Sequence, residues 1–318
     1  MNYVLAVDIG GTRFRAGLFN QTGKRLEVLE GETSRSGGRD WMLQQVAARC
    51  RELMARSDAP VKACGISFGG PVDYERQCVN SLHVPGWDGF GLARWVQEAL
   101  GLPCRVDNDA NAGALGESRF GAGRGTHSMF YITLSTGVGG GFVSEGKVFH
   151  GHDSLAGEIG HIPVSETGVL CTCGARGCVE TFCSGTAIAN RAREWASRRP
   201  ESAARLVELS GGNRENITAQ AVAMAAAEGD PIAVEMVKES ALWLARALLI
   251  VIRILDPDKI VLGGGVARAG KVLLDPLQEA MRPMASPSLP ATTAVVPAEL
   301  ENYSPLYGAA ALAMDLSG

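Results

Sequence analysis

The sequence predicts a two-lobed α/β protein, on three observations. Three apolar strand-like runs end in glycine clusters, strand and helix signals alternate through both halves, and a strand–glycine turn–strand device occurs twice, about a lobe apart. The first run, residues 4–7, leads into Asp8-Ile-Gly10-Gly11-Thr12, and the second, residues 129–134, into Ser135-Thr136-Gly137-Val-Gly139-Gly140-Gly141. The third, residues 260–262, leads into Gly263-Gly264-Gly265. Phe14, Ala16 and Leu18 alternate after the first turn, and Phe142-Val143 with Val148-Phe149 follow the second, so both continue as strands. The recurrence reads as an internal duplication rather than a short-period repeat.

Helices are expected between these strands. Residues 41–56 set Leu43, Val46, Ala47, Cys50, Leu53 and Met54 on one side, and residues 92–100 are stopped by Gly101 with Pro103 beyond. A helix over residues 110–119 starts just after Asp107-Asn108-Asp109, three good capping types. Pro231 opens a long helix at its favoured first position and Asp256-Pro257 closes it. An Ala-rich helix over 306–315 follows at the end. The chain is expected to cross between lobes near Asp109 and Tyr303, giving a smaller lobe of residues 1–109 with 304–318 and a larger lobe of residues 110–303.

A chain of 318 residues can bury a core in each lobe. Its 46% hydrophobic and 20% charged residues are those of a globular domain, and a net charge of −4 makes no electrostatic case for nucleic acid or an anionic membrane. Arg191, Arg193, Arg198 and Arg199, among Glu194 and Glu201, read as a solvated helix face. Asp8 interrupts the first apolar run, so no secretory signal is expected. Residues 241–255 contain Arg246 and Arg253, are too short to span a bilayer, and read as a core helix. Cys50, Cys64, Cys78 and Cys104 show no paired spacing and read as buried free thiols in a reducing cytoplasm.

Cys171-Thr-Cys173-Gly-Ala-Arg-Gly-Cys178 packs three thiols into a glycine-bearing loop ten residues after His161. Zinc takes four thiolate or imidazole ligands in a tetrahedron, and glycines let a short loop bring its sulfurs together. His161 is the natural fourth ligand, and the lack of a second acid/base couple makes the zinc structural. The alternative is three unrelated thiols, one of them paired with Cys183.

Glycine turns with free N–H groups wrap phosphate oxygens, and a carboxylate beside them holds Mg²⁺ directly or through water. Asp8-x-Gly-Gly-Thr12 and Ser135-Thr136-Gly-Val-Gly-Gly-Gly141 both offer this, which makes a gripped nucleoside triphosphate the leading idea. Asp107-Asn108-Asp109-Ala-Asn111 stands at a strand-to-helix junction, where a carboxylate can take the proton of a hydroxyl attacking phosphorus.

These motifs, with Gly65-Ile-Ser-Phe-Gly69-Gly70-Pro71-Val72-Asp73, Pro85-Gly-Trp87, Glu158-Ile-Gly-His161 and the Cys171–Glu180 loop, together resemble the ROK family of sugar kinases and repressors. The resemblance covers essentially the whole chain. It implies the two-lobed actin/hexokinase-like (ribonuclease H-like) fold with a zinc-binding loop in the second lobe. It also implies ATP-dependent phosphorylation of a hexose at its 6-hydroxyl, glucose first and N-acetylmannosamine as runner-up. Asp109 would be the general base with Asn108 beside it. Glu158, His161 and Glu180 would hold the other sugar hydroxyls, His161 also binding zinc with Cys171, Cys173 and Cys178. Gly70 and His83 would line the sugar site. Asp8 would position Mg²⁺, Gly10, Gly11 and Thr12 with Thr136 and Gly137 would cradle ATP phosphates, and Gly264 and Gly265 would lie against the adenosine. A cytoplasmic homodimer is the expected assembly. Ser135 stands where many relatives carry glycine and His83 where many carry asparagine, so His83 leaves the choice of sugar more open.

Two rival motifs are weaker. Gly65-Ile-Ser67-Phe-Gly69 matches a hydrolase nucleophile elbow, but Gly70-Pro71 follows where a helix should begin. Gly265-Val-Ala-Arg-Ala-Gly270-Lys271 approaches a P-loop, yet Val272 occupies the hydroxyl position. The non-enzyme alternative is a sugar sensor of the same family. Only seven residues precede Asp8 in this sequence, so no DNA-reading module is expected.

Overall fold

A computed structural model describes residues 2–81, 84–284 and 292–317. The chain opens with β1 (Tyr3–Ile9), β2 (Arg13–Asn20) and β3 (Arg25–Glu32), then α1 (Gly38–Arg56), β4 (Val61–Phe68) and a small hairpin of β5 (Val72–Asp73) and β6 (Cys78–Val79). Helix α2 (Leu92–Leu100), β7 (Cys104–Asn108) and α3 (Asp109–Phe120) complete this half. Strands β8 (Ser128–Leu134), β9 (Val138–Ser144) and β10 (Lys147–Val148) come next. They are followed by α4 (Glu180–Cys183), α5 (Gly185–Arg198), α6 (Ala204–Glu208), α7 (Ala219–Ala227) and α8 (Pro231–Leu255). The chain closes with β11 (Lys259–Gly263), α9 (Lys271–Met281), β12 (Ala294–Pro297) and α10 (Ser304–Ser317).

The first sheet has the order β3-β2-β1-β4-β7 and the second β10-β9-β8-β11-β12, so the second repeats the strand order of the first. This is the duplication expected from the twin glycine turns. In the first sheet β1 is antiparallel to β2 and parallel to β4, which is parallel to β7. All seven residues of β1 are buried, as in a strand covered on both faces. Leu5, Val7 and Ile9 pack with Val46, Cys50 and Leu53 of α1 and Leu92 and Val96 of α2, while Val4 and Ala6 pack with Leu306, Ala309 and Ala310 of α10.

The chain forms two compact units, one of residues 1–131, 141–157 and 298–318, the other of 132–140 and 158–297. The division therefore does not fall at 109/110 and 303/304. Helix α3 goes with the first unit because it packs backbone to backbone on α10. A Cβ on Gly116 would lie 2.3 Å from Ser304 O, and one on Gly308 1.7 Å from Ala112 O. Glu117 is fully buried in the same contact. Its carboxylate accepts the N–H groups of Ala122 (2.8 Å), Glu299 (3.1 Å) and Leu300 (2.9 Å) and the Ser304 hydroxyl (2.7 Å).

Asp230 caps α8 by accepting from Ile232 N and Ala233 N, and Asp256 closes it in the left-handed region. No described helix is long and apolar enough to cross a membrane. All eight cysteines are free thiols. Cys50 and Cys64 are buried as expected; Cys78 and Cys104 are only half-buried. Cys78 lies on the two-stranded hairpin, and Cys104 on β7, at the end of the first sheet's strand order.

Candidate functional site

In the first unit the site grows from the ends of three strands. The turn after β1 puts Asp8 opposite Arg15 in the hairpin register. Asp8 is buried, and its carboxylate accepts the Ser67 hydroxyl at 3.0 Å and Arg15 Nη1 at 3.4 Å. Burial raises the Asp8 carboxyl above its ordinary value, while the Arg15 charge and the Ser67 bond pull it back. Arg15 is held in turn by Glu30 at 3.1 Å and by the Asn302 carbonyl at 2.8 Å.

The glycines of the turn have different causes. Gly10 N donates to Arg13 O at 2.9 Å, and a Cβ there would crowd the same oxygen, so Gly10 shapes the hairpin. Its N–H is therefore committed to the turn. Gly11 and Thr12 are exposed, and a Cβ on Gly11 would meet nothing within 4 Å. Among the described residues nothing crowds a side chain at position 11, so the turn is open to solvent there.

Gly69 N bonds Ile9 O at 2.8 Å, which lays the end of β4 against this turn. Asn108 caps α3, accepting from Ala110 N at 2.9 Å and donating its amide to Gly70 O at 3.0 Å. Half-buried Asp109 follows as the first residue of α3, and a Cβ on Gly69 would sit 3.7 Å from its Oδ2. Asp8, the Gly10–Thr12 turn, Gly70, Asn108 and Asp109 thus gather outside the carboxyl ends of parallel strands, where open α/β sheets place ligands. Ser67 is fully buried and bonded to Asp8, and β5 rather than a helix follows it, so it cannot serve as a hydrolase nucleophile.

In the second unit the ligand atoms of His161, Cys171, Cys173 and Cys178 lie within 4.8 Å of one another. His161 Nδ1 is 3.5 Å from Cys171 Sγ, and Cys173 Sγ is 3.6 Å from Cys178 Sγ. Zinc–sulfur bonds of about 2.3 Å and zinc–nitrogen bonds of about 2.0 Å give tetrahedral edges of roughly 3.5–3.8 Å, so the four residues fit zinc. Gly174 and Gly177 turn the loop with φ of +91° and +66°. Cys183 takes no part in a disulfide: its thiol donates to Ser240 O at 3.3 Å, and burial pushes it up to about 12.

With Nδ1 toward the sulfurs, His161 Nε2 faces the other way, 3.9 Å from Glu158 Oε2. Glu180 opens α4, and its Oε2 accepts Val138 N–H at 3.0 Å. A Cβ on Gly137 would lie 2.5 Å from that oxygen, so glycine here makes room for Glu180. Gly264 has φ +87° and lies against Leu134; Gly265, like Gly11, would place a Cβ in open space.

Thr136 and Gly265 share the lining of a cavity of about 690 Å³ with Arg193, Thr218, Gln220 and Met224. Sequence reasoning missed that wall, because α7 carries alanines without a chemical motif. It also missed Arg15, which the hairpin register across the Gly10–Thr12 turn could have supplied. His83 lies outside the described residues.

The chain matches the ROK family over residues 4–316. It is 34% identical to the glucokinase of Thermotoga maritima over 316 residues, 99% of this chain and 98% of that one. It is 32% identical to the N-acetylmannosamine kinase of Yersinia pseudotuberculosis over 266 residues, 83% of each. Among solved structures, a ROK family glucokinase from Streptomyces griseus in complex with glucose and AMPPNP superposes with a TM-score of 0.87 at 35% identity, covering 98% of this chain and 99% of that one. The α/β architecture is accordingly the actin/hexokinase-like fold of these kinases, and by family and fold together this chain belongs to the ROK family.

Proposed function

We propose that this protein transfers the γ-phosphoryl group of ATP to the 6-hydroxyl of glucose. The observation that carries the reading is the placement of Asp109 against Gly69, beside a turn whose exposed Gly11 leaves open space for a phosphate to approach. Full-length similarity to glucokinases, one of them holding glucose and an ATP analogue, supports it.

In this reaction the sugar 6-oxygen attacks the γ-phosphorus in line, Asp109 accepts the hydroxyl proton, and ADP leaves. Asn108 orients the hydroxyl, its amide fixed by Gly70 O. Glu158, His161 and Glu180 take the ring hydroxyls, and Gly70 completes the sugar site. Gly11 and Thr12, with Thr136 and Gly137, donate to phosphate oxygens, while Gly10 keeps their turn in shape. Gly264 and Gly265 admit the adenosine to the 690 Å³ cavity. Mg²⁺, when bound, neutralises phosphate charge, and the hard oxygens of buried Asp8 suit it directly or through water. Zinc would have a structural part: held by His161, Cys171, Cys173 and Cys178, it would fix the imidazole that presents its other nitrogen to the sugar.

The assembly we place beside this chemistry is a cytoplasmic homodimer without a nucleic-acid partner. The unpaired spacing of Cys50, Cys64, Cys78 and Cys104 supports the compartment, a net charge of −4 the missing partner, and light scattering tests the dimer.

ADP release with Mg-ATP across glucose, mannose, fructose, allose and N-acetylmannosamine tests the function. Glucose standing well above the rest in kcat/KM is the expected result. N-acetylmannosamine in that place would move the substrate to the chemistry of the Yersinia relative, and sugar binding without turnover would make the protein a sensor.

A further inference from the structure

The residue before Asn108-Asp109 is Asp107, whose side chain is 1% exposed. Each of its oxygens has a role. Oδ1 accepts Asn108 N–H at 2.8 Å and the Asn111 amide at 3.1 Å, gripping α3 on either side of Asp109. Among the described residues the buried Asn111 Oδ1 atom meets no donor, so the bond to Asp107 orients that amide. Oδ2 is bonded to His150 Nε2 at 2.7 Å.

His150 is not on the strand or the helix it serves. It follows β10 on a loop within the first unit, and its ring stacks on Tyr74 at 3.6 Å with 16° between planes. Tyr74 is fixed at both ends. Its N–H donates to Ser154 Oγ at 3.1 Å, and its hydroxyl accepts Arg105 Nη1 at 3.4 Å. The Tyr74 hairpin is tied to β7 by Gln77, which accepts Val106 N–H at 2.7 Å.

We propose that His150 is a positioning residue for phosphoryl transfer, holding the Asn108-Asp109 junction through Asp107. The inference rests on reading Asp109 as the general base. A carboxylate this buried needs every lone pair directed, and an unmet one is costly. Without the Nε2 donor the Asp107 carboxylate turns, and Oδ1 no longer grips Asn108 and Asn111 in one geometry. His150 touches no reacting atom; its effect reaches the chemistry as the aim of Asp109.

Two variants separate the hydrogen bond from the packing. His150→Phe keeps a ring on Tyr74 and removes the donor; His150→Gln keeps an N–H at the same reach and removes the ring. Displacement of the base predicts that His150→Phe lowers kcat about tenfold or more while KM for Mg-ATP stays within about twofold, and that His150→Gln restores most of kcat. Amide hydrogen exchange at Asn108 and Ala110 reads the same junction without turnover, and should quicken in His150→Phe only. Wild-type kcat and exchange in His150→Phe would overturn the proposal. So would equal losses in both variants with unchanged exchange, which would be the mark of packing. An inactive wild-type protein would instead overturn the kinase reading, and the exchange measurement would still decide the role of His150.

Discussion

The Glu117 carboxylate accepts the Ser304 hydroxyl at 2.7 Å and the Leu300 N–H at 2.9 Å, joining α3 to the stretch where the chain re-enters the first unit after Pro297. With Ala122 and Glu299 it satisfies four donors from a fully buried position. Glu117→Ala takes away the acceptor shared by all four and opens a cavity. It should destabilise the protein by about 3 kcal/mol or more, read from urea unfolding. Unfolding midpoints that coincide with wild type would show that water replaces the carboxylate at no cost.

Asp109→Asn keeps the shape of the side chain and removes the proton acceptor. Turnover should fall by about 10²–10⁴-fold, while glucose affinity by calorimetry stays near that of the parent. Asn108 still caps α3 and still donates to Gly70, so the sugar site is preserved. Comparable kcat in the two proteins would remove Asp109 from the base role.

Much of this site was legible because its chemistry is carried by short, contiguous motifs. Asp8 and the glycines, Asn108-Asp109 and the three-thiol loop each sit within a dozen residues of sequence, and the structure brings the ligand atoms of His161, Cys171, Cys173 and Cys178 within 4.8 Å. What escaped has the opposite character. His150 reaches Asp107 across 43 positions, and no spacing rule links them. Glu117 meets partners more than 180 positions away. The lobe boundary was misplaced for the same reason. A helix cap at Asn108 is visible in sequence, but the backbone contact of Gly116 with Ser304 that carries α3 into the first unit is not. Local grammar reports turns, caps and ligand loops; long-range burial decides which unit they serve.

Removing zinc should abolish sugar binding without touching the phosphoryl chemistry itself. If zinc orients the His161 ring as proposed, chelator-treated protein should lose glucose affinity and turnover together, and both should return on adding zinc. His161→Ala should lose the metal and the sugar contact at once. Full turnover in metal-free protein, or a His161→Ala variant that keeps both zinc and glucose affinity, would sink the dual assignment.

The glycines offer the sharpest contrast between structural and functional need. Gly308→Ala would drive a methyl to 1.7 Å from Ala112 O, and Gly65→Ala to 1.8 Å from Ala309 O; both neighbours are backbone and cannot step aside. Each should cost about 3 kcal/mol or more and lower Tm steeply, whatever ligand is present. Gly11→Ala and Gly265→Ala meet no protein atom within 4 Å and carry no positive φ. Their Tm without ligand should match the parent or rise slightly, since alanine narrows the unfolded ensemble. The cost should appear only with nucleotide, as a KM for Mg-ATP raised about tenfold and a lost thermal shift on adding AMPPNP, because the new methyl stands where phosphate or adenosine must approach. Unchanged KM for Mg-ATP in both variants would mean that the nucleotide keeps clear of these two turns, and the donor site would have to be sought elsewhere.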